Sequence, residues 1–139
     1  MSLDATRENI FQNDIIGQLQ SSGWVLGTAK HYDRENALYR ADILNFVKTT
    51  QPEEWNKFCR NFPIDSERYF IDALVVQLKK ADINATDQAS RSYGTLGVLR
   101  HGLKIRNARF KLCQFKPEHN LNADTLARYE QNICRVVPE

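Results

Sequence analysis

Between Ser66 and Lys80 the apolar residues Phe70, Ile71, Leu74, Val75 and Leu78 recur at three- and four-residue intervals. That spacing lines them along one stripe of an α-helix and predicts a helix over 66–81, with Asp65 placed to cap its start. A helix with a stripe this apolar must be covered by other elements. A chain of 139 residues can supply them within one domain spanning 1–139 and a modest core.

The other segments follow from spacing and punctuation. Residues 6–22 read as an amphipathic helix, with Ile10, Phe11, Asp14, Ile15 and Leu19 near one face and Ile16 beside them; Ser21-Ser22-Gly23 stops it. "WVLG" reads as a short strand and "TAKHYDREN" as a loop. Residues 40–50 read as a helix with Ile43, Leu44 and Val47 inward. In "TTQPEEW", Thr50 and Glu53 have capping-box spacing and Pro52 sits in a first turn, so a new helix is expected up to Asn61. "ADINATDQASRSYGT" has no core pattern and reads as a loop. "LGVLRHG" reads as a helical turn closed by Gly102. "ARFKLCQF" reads as a strand, with Phe110 and Leu112 on one face and Arg109 and Lys111 on the other. Asn122 is placed to cap "ADTLARYEQN", and "ICRVVPE" reads as a last strand. Trp24 and Trp55 are expected as core anchors. The expected fold class is therefore α+β, predominantly helical with a few short strands.

No apolar run reaches the ~20 residues of a membrane span. "MSLDATRENIF" is too polar for a signal peptide. Cys59, Cys113 and Cys134 lie far apart with no CxxC, which fits reduced thiols in a cytoplasmic protein.

Charge is distributed unevenly. "RHGLKIRNARFKLCQFK", residues 100–116, holds six Lys or Arg and no Asp or Glu. From Gln88 to Pro117 there are seven basic residues and no acidic one, whereas the rest of the chain carries 12 basic and 17 acidic residues. Two readings stay open on composition. The stretch is either the wet face of a strand or a surface for a polyanion, with Arg100, Lys104, Arg106, Arg109 and Lys111 meeting phosphates. Aromatic residues are few there, which suits duplex backbone contact better than stacking on single strands.

Signatures of chemistry are sparse. There is no GxxxxGK[ST] and no GxGxxG. His31, His101 and His119 lack zinc spacing to the cysteines. Asp33-Arg34-Glu35 reads as a local ion-pair loop, with a functional cluster as the sharper alternative.

The order of segments nevertheless resembles a known family. "FQNDIIGQLQSSGW", "YDRENALY", "TQPEEWNKF", "GTLGVLRHGLKIRNARFKLCQFKPEHNLN" and "RYEQNICRVVPE" together resemble the N-terminal region of the restriction (R, motor) subunit of type I restriction-modification enzymes. The resemblance covers nearly the whole chain. It implies the N-terminal part of a restriction-endonuclease-like domain of the PD-(D/E)xK class, and a cytoplasmic subunit. It also implies Mg²⁺-dependent cleavage of duplex DNA and ATP-driven translocation by the full subunit, in partnership with modification and specificity subunits. In that family the metal-binding Asp and the Glu-x-Lys motif lie just beyond a segment like "RVVPE", whereas this chain stops at Glu139. The resemblance thus implies a fragment ending before the catalytic strands and inactive alone. The family often places a metal-assisting Glu on the first helix; "FQND" offers Gln12 and Asp14 there. The alternative from another class is a stand-alone DNA-binding or subunit-docking module without catalysis.

Overall fold

A computed structural model describes residues 3–80, 94–119 and 121–138. The fold is α+β. In chain order its elements are α1 (Leu3–Ser21), β1 (Val25–Leu26), a 3₁₀ turn (Ala29–His31), α2 (Arg40–Thr50), α3 (Pro52–Asn61), α4 (Ser66–Lys79), α5 (Gly94–His101), β2 (Leu103–Ile105), β3 (Ala108–Phe110), α6 (Ala123–Glu130) and β4 (Arg135–Val136). The chain clusters into two compact units, Met1–Arg40 with Ile133–Glu139, and Ala41–Asn132. The expected loop at 81–95 lies outside the described residues, except for Gly94 and Thr95, which open α5.

In the first unit, α1 ends as its sequence predicts. The Gly23 amide bonds to Gln20 O at 3.1 Å and the Trp24 amide to Leu19 O at 3.0 Å. This Schellman pattern needs a left-handed residue, supplied by Gly23 at φ 95°. β1 then pairs in parallel with β4, in the register Val25↔Arg135 and Leu26↔Val136. Gly27 lies under Arg135, where a Cβ would come 2.7 Å from Arg135 Cδ. The Arg135 guanidinium lies over the Tyr39 ring at 4.5 Å. Trp24 departs from expectation: it is exposed and anchors no core.

The second unit holds every fully buried large side chain among the described residues. Phe70, Ile71 and Leu74 of α4 are buried as the stripe predicts, while Val75 and Leu78 are half-buried. On α2, Val47 is buried; Phe46 is buried with it, and Ile43 and Leu44 are half-buried. Trp55 is an anchor as expected, with ring centroids 5.4 Å from Phe58 and 5.6 Å from Phe70. Phe70 and Phe110 meet edge to face at 5.0 Å. Such tilted and edge-on contacts are the preferred aromatic geometry.

Two expected caps do not form. Thr50 is the last residue of α2, so its hydroxyl donates back to Phe46 O at 2.6 Å. A capping-box Thr must instead have extended backbone and face forward. Gln51 is the N-cap residue of α3, with Pro52 following at the first helical position, and its side chain makes no cap bond. Asp65 occupies the N-cap position of α4 but is left-handed (φ 54°, ψ 42°) and makes no side-chain cap bond. Asn122 does cap α6, accepting from the amides of Asp124 at 3.0 Å and Thr125 at 3.2 Å.

The basic stretch is a hairpin rather than one long strand. β2 pairs antiparallel with β3 in the register Leu103↔Phe110, Lys104↔Arg109 and Ile105↔Ala108. Gly102 makes the bend into it at φ 79°, and a Cβ there would sit 2.2 Å from Phe110 O. β3 stops at Phe110, opposite Leu103, where β2 begins after the Gly102 bend; beyond it side chains take up the main-chain groups of Lys111 and Gln114.

Candidate nucleic-acid interface

Alternation fixes which side chains of the hairpin face water. Ala108 and Phe110 are buried, Arg109 and Lys111 are exposed, and across the sheet Leu103 is buried while Lys104 is exposed. Lys104 and Arg109 are directly opposite. The Arg109 amide points away from β2 and donates to Glu54 Oε2 at 2.9 Å. Lys104–Arg109 is therefore a non-hydrogen-bonded pair, the kind whose side chains approach most closely. Like charges so placed oppose hairpin formation. Lys111 projects from the same side two residues on, ~6–7 Å along the chain.

Among the described residues, no carboxylate forms an ion pair with Lys104, Arg106, Arg109 or Lys111. Glu54 is an acid in contact with the hairpin. Its carboxyl is held below its ordinary value first by the Arg109 amide, then by Lys57, whose Nζ is 3.1 Å away. Glu54 ion-pairs with Lys57 and is also within reach of the Arg109 charge. Arg106 sits in the two-residue turn at φ 54°, with its guanidinium 4.6 Å over the Phe62 ring. Arg100 is exposed in the last turn of α5, and no register ties it to the other four.

Sequence reasoning missed the residues that hold this surface. The Gln51 side chain brackets the Lys111 main chain, accepting from its amide at 2.7 Å and donating to its carbonyl at 2.8 Å. Asn132 brackets Gln114 in the same way, at 3.0 and 2.6 Å. Asn61 Nδ2 donates to Asn107 Oδ1 at 2.7 Å. The only signal in the sequence was the i, i+3 spacing of Gln51 and Glu54 around Pro52.

The remaining candidates are dispersed. Gln12 and Asp14 are two residues apart on α1, and such neighbours do not face each other. They do not fit a shared metal site. His31, His101 and His119 are all exposed, and among the described residues no three His, Cys, Asp or Glu side chains gather. Asp33 is an ion-pair residue, but its partner is Arg40 at 2.9 Å rather than a residue of its own triplet. No protein-family model, curated protein or solved structure matches the chain.

Proposed function

We propose that this chain is the N-terminal part of the R subunit of a type I restriction enzyme, and that its own task there is to hold duplex DNA by its phosphates on the β2–β3 hairpin. The observation that carries the DNA contact is the Lys104–Arg109 pair, opposed on an outward face without an ion-paired acid among the described residues. The arrangement costs stability, and a polyanion would repay it. The ordered segment resemblance supports the family. In this reading the full subunit cleaves DNA with Mg²⁺, translocates it with ATP, and works with modification and specificity subunits in the cytoplasm. Among the described residues no helix is long and apolar enough to cross a membrane. No catalytic step is assigned to Gln12 or Asp14, and the chain by itself should not nick plasmid DNA.

The test is fluorescence anisotropy on a labelled duplex across salt concentrations. Each phosphate contact contributes about −0.9 to the slope of log affinity against log salt. Reversing charge at Arg109 and Lys111 should flatten that slope by about two, without changing sequence preference. Equal binding by wild type and double mutant, or no binding at low salt, refutes the DNA contact.

One observation favours a second reading, a subunit-docking module without catalysis. Ile10, Phe11 and Ile15 on α1 are exposed apolar residues on a solvent-facing helix.

A further inference from the structure

We infer that α3 is a splint that sets the register and the outward face of the basic hairpin, with Gln51 as the positioning residue for phosphate contact. The inference rests on the DNA reading above and concerns how that surface is held.

The hairpin specifies itself poorly. Its strands have three residues each, and its turn puts Arg106 in left-handed backbone without glycine. Lys104 and Arg109 repel across it. A lone two-stranded hairpin is marginal in water. A slip of one residue would swap its faces, turning Phe110 and Leu112 outward and Arg109 and Lys111 inward.

α3 opposes that slip along its whole length. Gln51, Glu54, Phe58 and Asn61 recur at three- and four-residue intervals and so share one helix face. In order they engage the main chain of Lys111, the amide of Arg109, the ring of Phe110 at 6.0 Å and the side chain of Asn107. The hydrogen bonds of Gln51, Glu54 and Asn61 descend from residue 111 through 109 to 107, antiparallel to the strand. Gln51 and Glu54 engage residues 111 and 109, whose amides point to the same edge because strand residues alternate. After a one-residue slip the groups at these two side chains would belong to the wrong edge. The Gln51 amide does what a neighbouring strand would do, at the residue where a phosphate contact is needed.

Asn132 supplies an internal control. It makes the same two-bond bracket, but on Gln114, beyond the paired cations. The experiment compares Gln51→Leu with Asn132→Leu in the full chain, by anisotropy on the labelled duplex and by amide hydrogen exchange. Gln51→Leu should speed exchange at Lys111 and Arg109 and flatten the salt slope by about one contact's worth, ~0.9. Asn132→Leu should speed exchange at Gln114 and leave the slope unchanged. If the wild type binds but the two variants flatten the slope equally, or neither does, Gln51 is a structural residue only and the inference fails. If the wild type does not bind duplex, the DNA reading fails first. Exchange then still judges the splint, and a Lys111 amide as fast in wild type as in Gln51→Leu overturns it.

Discussion

α1 and α4 carry similar patterns of apolar residues, and their environments differ. On α4 the stripe residues Phe70 and Leu74 are fully buried. On α1 Ile10, Phe11 and Ile15 are 58%, 68% and 42% exposed. The contrast extends to the units that contain them. In Ala41–Asn132, Phe58, Phe70, Leu74 and Phe110 pack into one closed cluster, and burying a side chain of this size contributes about 1.5–3 kcal/mol. In the unit formed by Met1–Arg40 and Ile133–Glu139, the named contacts are polar or main-chain: the bonds that stop α1, a two-rung parallel ladder, the Asp33–Arg40 ion pair and a guanidinium on a tyrosine ring. Periodicity says which face of a helix is apolar. It does not say whether anything covers that face.

The largest expected effect tests this contrast directly. Leu74→Ala should destabilise by about 2–5 kcal/mol, because it opens a cavity in a closed cluster. Ile10→Ala, on the exposed face of α1, should cost less than about 0.5 kcal/mol. Urea denaturation of both variants decides the matter. Comparable losses would mean that the α1 face is covered in solution and that the two units differ less than their exposures indicate.

Glycine offers a finer version of the same comparison. Gly102 combines φ 79° with a Cβ position 2.2 Å from Phe110 O, whereas Gly23, at φ 95°, has nothing within 4 Å of its Cβ position. Gly23→Ala should cost only left-handed strain, about 1–2 kcal/mol. Gly102→Ala adds a backbone clash and should exceed about 2 kcal/mol. Equal costs would show that the hairpin shifts freely to admit a methyl group, and would weaken the view of it as rigidly splinted.

Within the second unit, the like-charged pair makes a prediction of opposite sign. Lys104→Glu places an acid opposite Arg109 and should stabilise the hairpin by about 0.2–1 kcal/mol. The same change should weaken duplex binding. A variant that is less stable would mean that the two cations do not repel as their register implies.

Much of this fold could be read from the sequence, where short-range rules apply. The α4 stripe, the Gly23 stop, Pro52 at the start of α3 and the Asn122 cap are local patterns, and each stands where its residues put it. The failures were of two kinds. Thr50 and Asp65 have capping chemistry, but Thr50 is the last residue of α2 and Asp65 is left-handed, so neither backbone presents its side chain to the following helix. Trp24 is apolar but lacks a buried neighbourhood. The basic residues of the candidate site were legible as charges, and Phe110–Lys111 as alternation. Lys104 opposite Arg109 required β2, which no periodicity in the sequence announced. The Gln51, Asn61 and Asn132 contacts join residues 60, 46 and 18 positions apart, which no local pattern encodes.

The smallest effect expected is electrostatic, and each unit contributes one carboxylate to it. Glu54 is held below its ordinary value of 4.5 by the Arg109 amide first and then by Lys57, with the Arg109 charge adding to both. Asp33 is held below its ordinary 3.8 by Asn36 first and then by Arg40. Both pKa values are depressed on folding, so both contributions are fully present above the ordinary value and are lost as pH falls through the folded one. The loss at Glu54 begins below pH 4.5 and loosens the grip of α3 on β3; the loss at Asp33 begins below pH 3.8 and frees its loop from Arg40. Amide exchange from about pH 6 to about pH 3, corrected for intrinsic rates, should show Arg109 losing protection in the first window. Glu54→Gln should remove most of that acid dependence at Arg109, because a neutral amide oxygen still accepts the bond but no longer titrates. It should leave the Asn36 amide, which Asp33 holds at 3.2 Å in the other unit, with its acid response intact. If Glu54→Gln abolished the response at both sites, one global acid transition would govern the chain, and the two units could not be treated as separately stabilised.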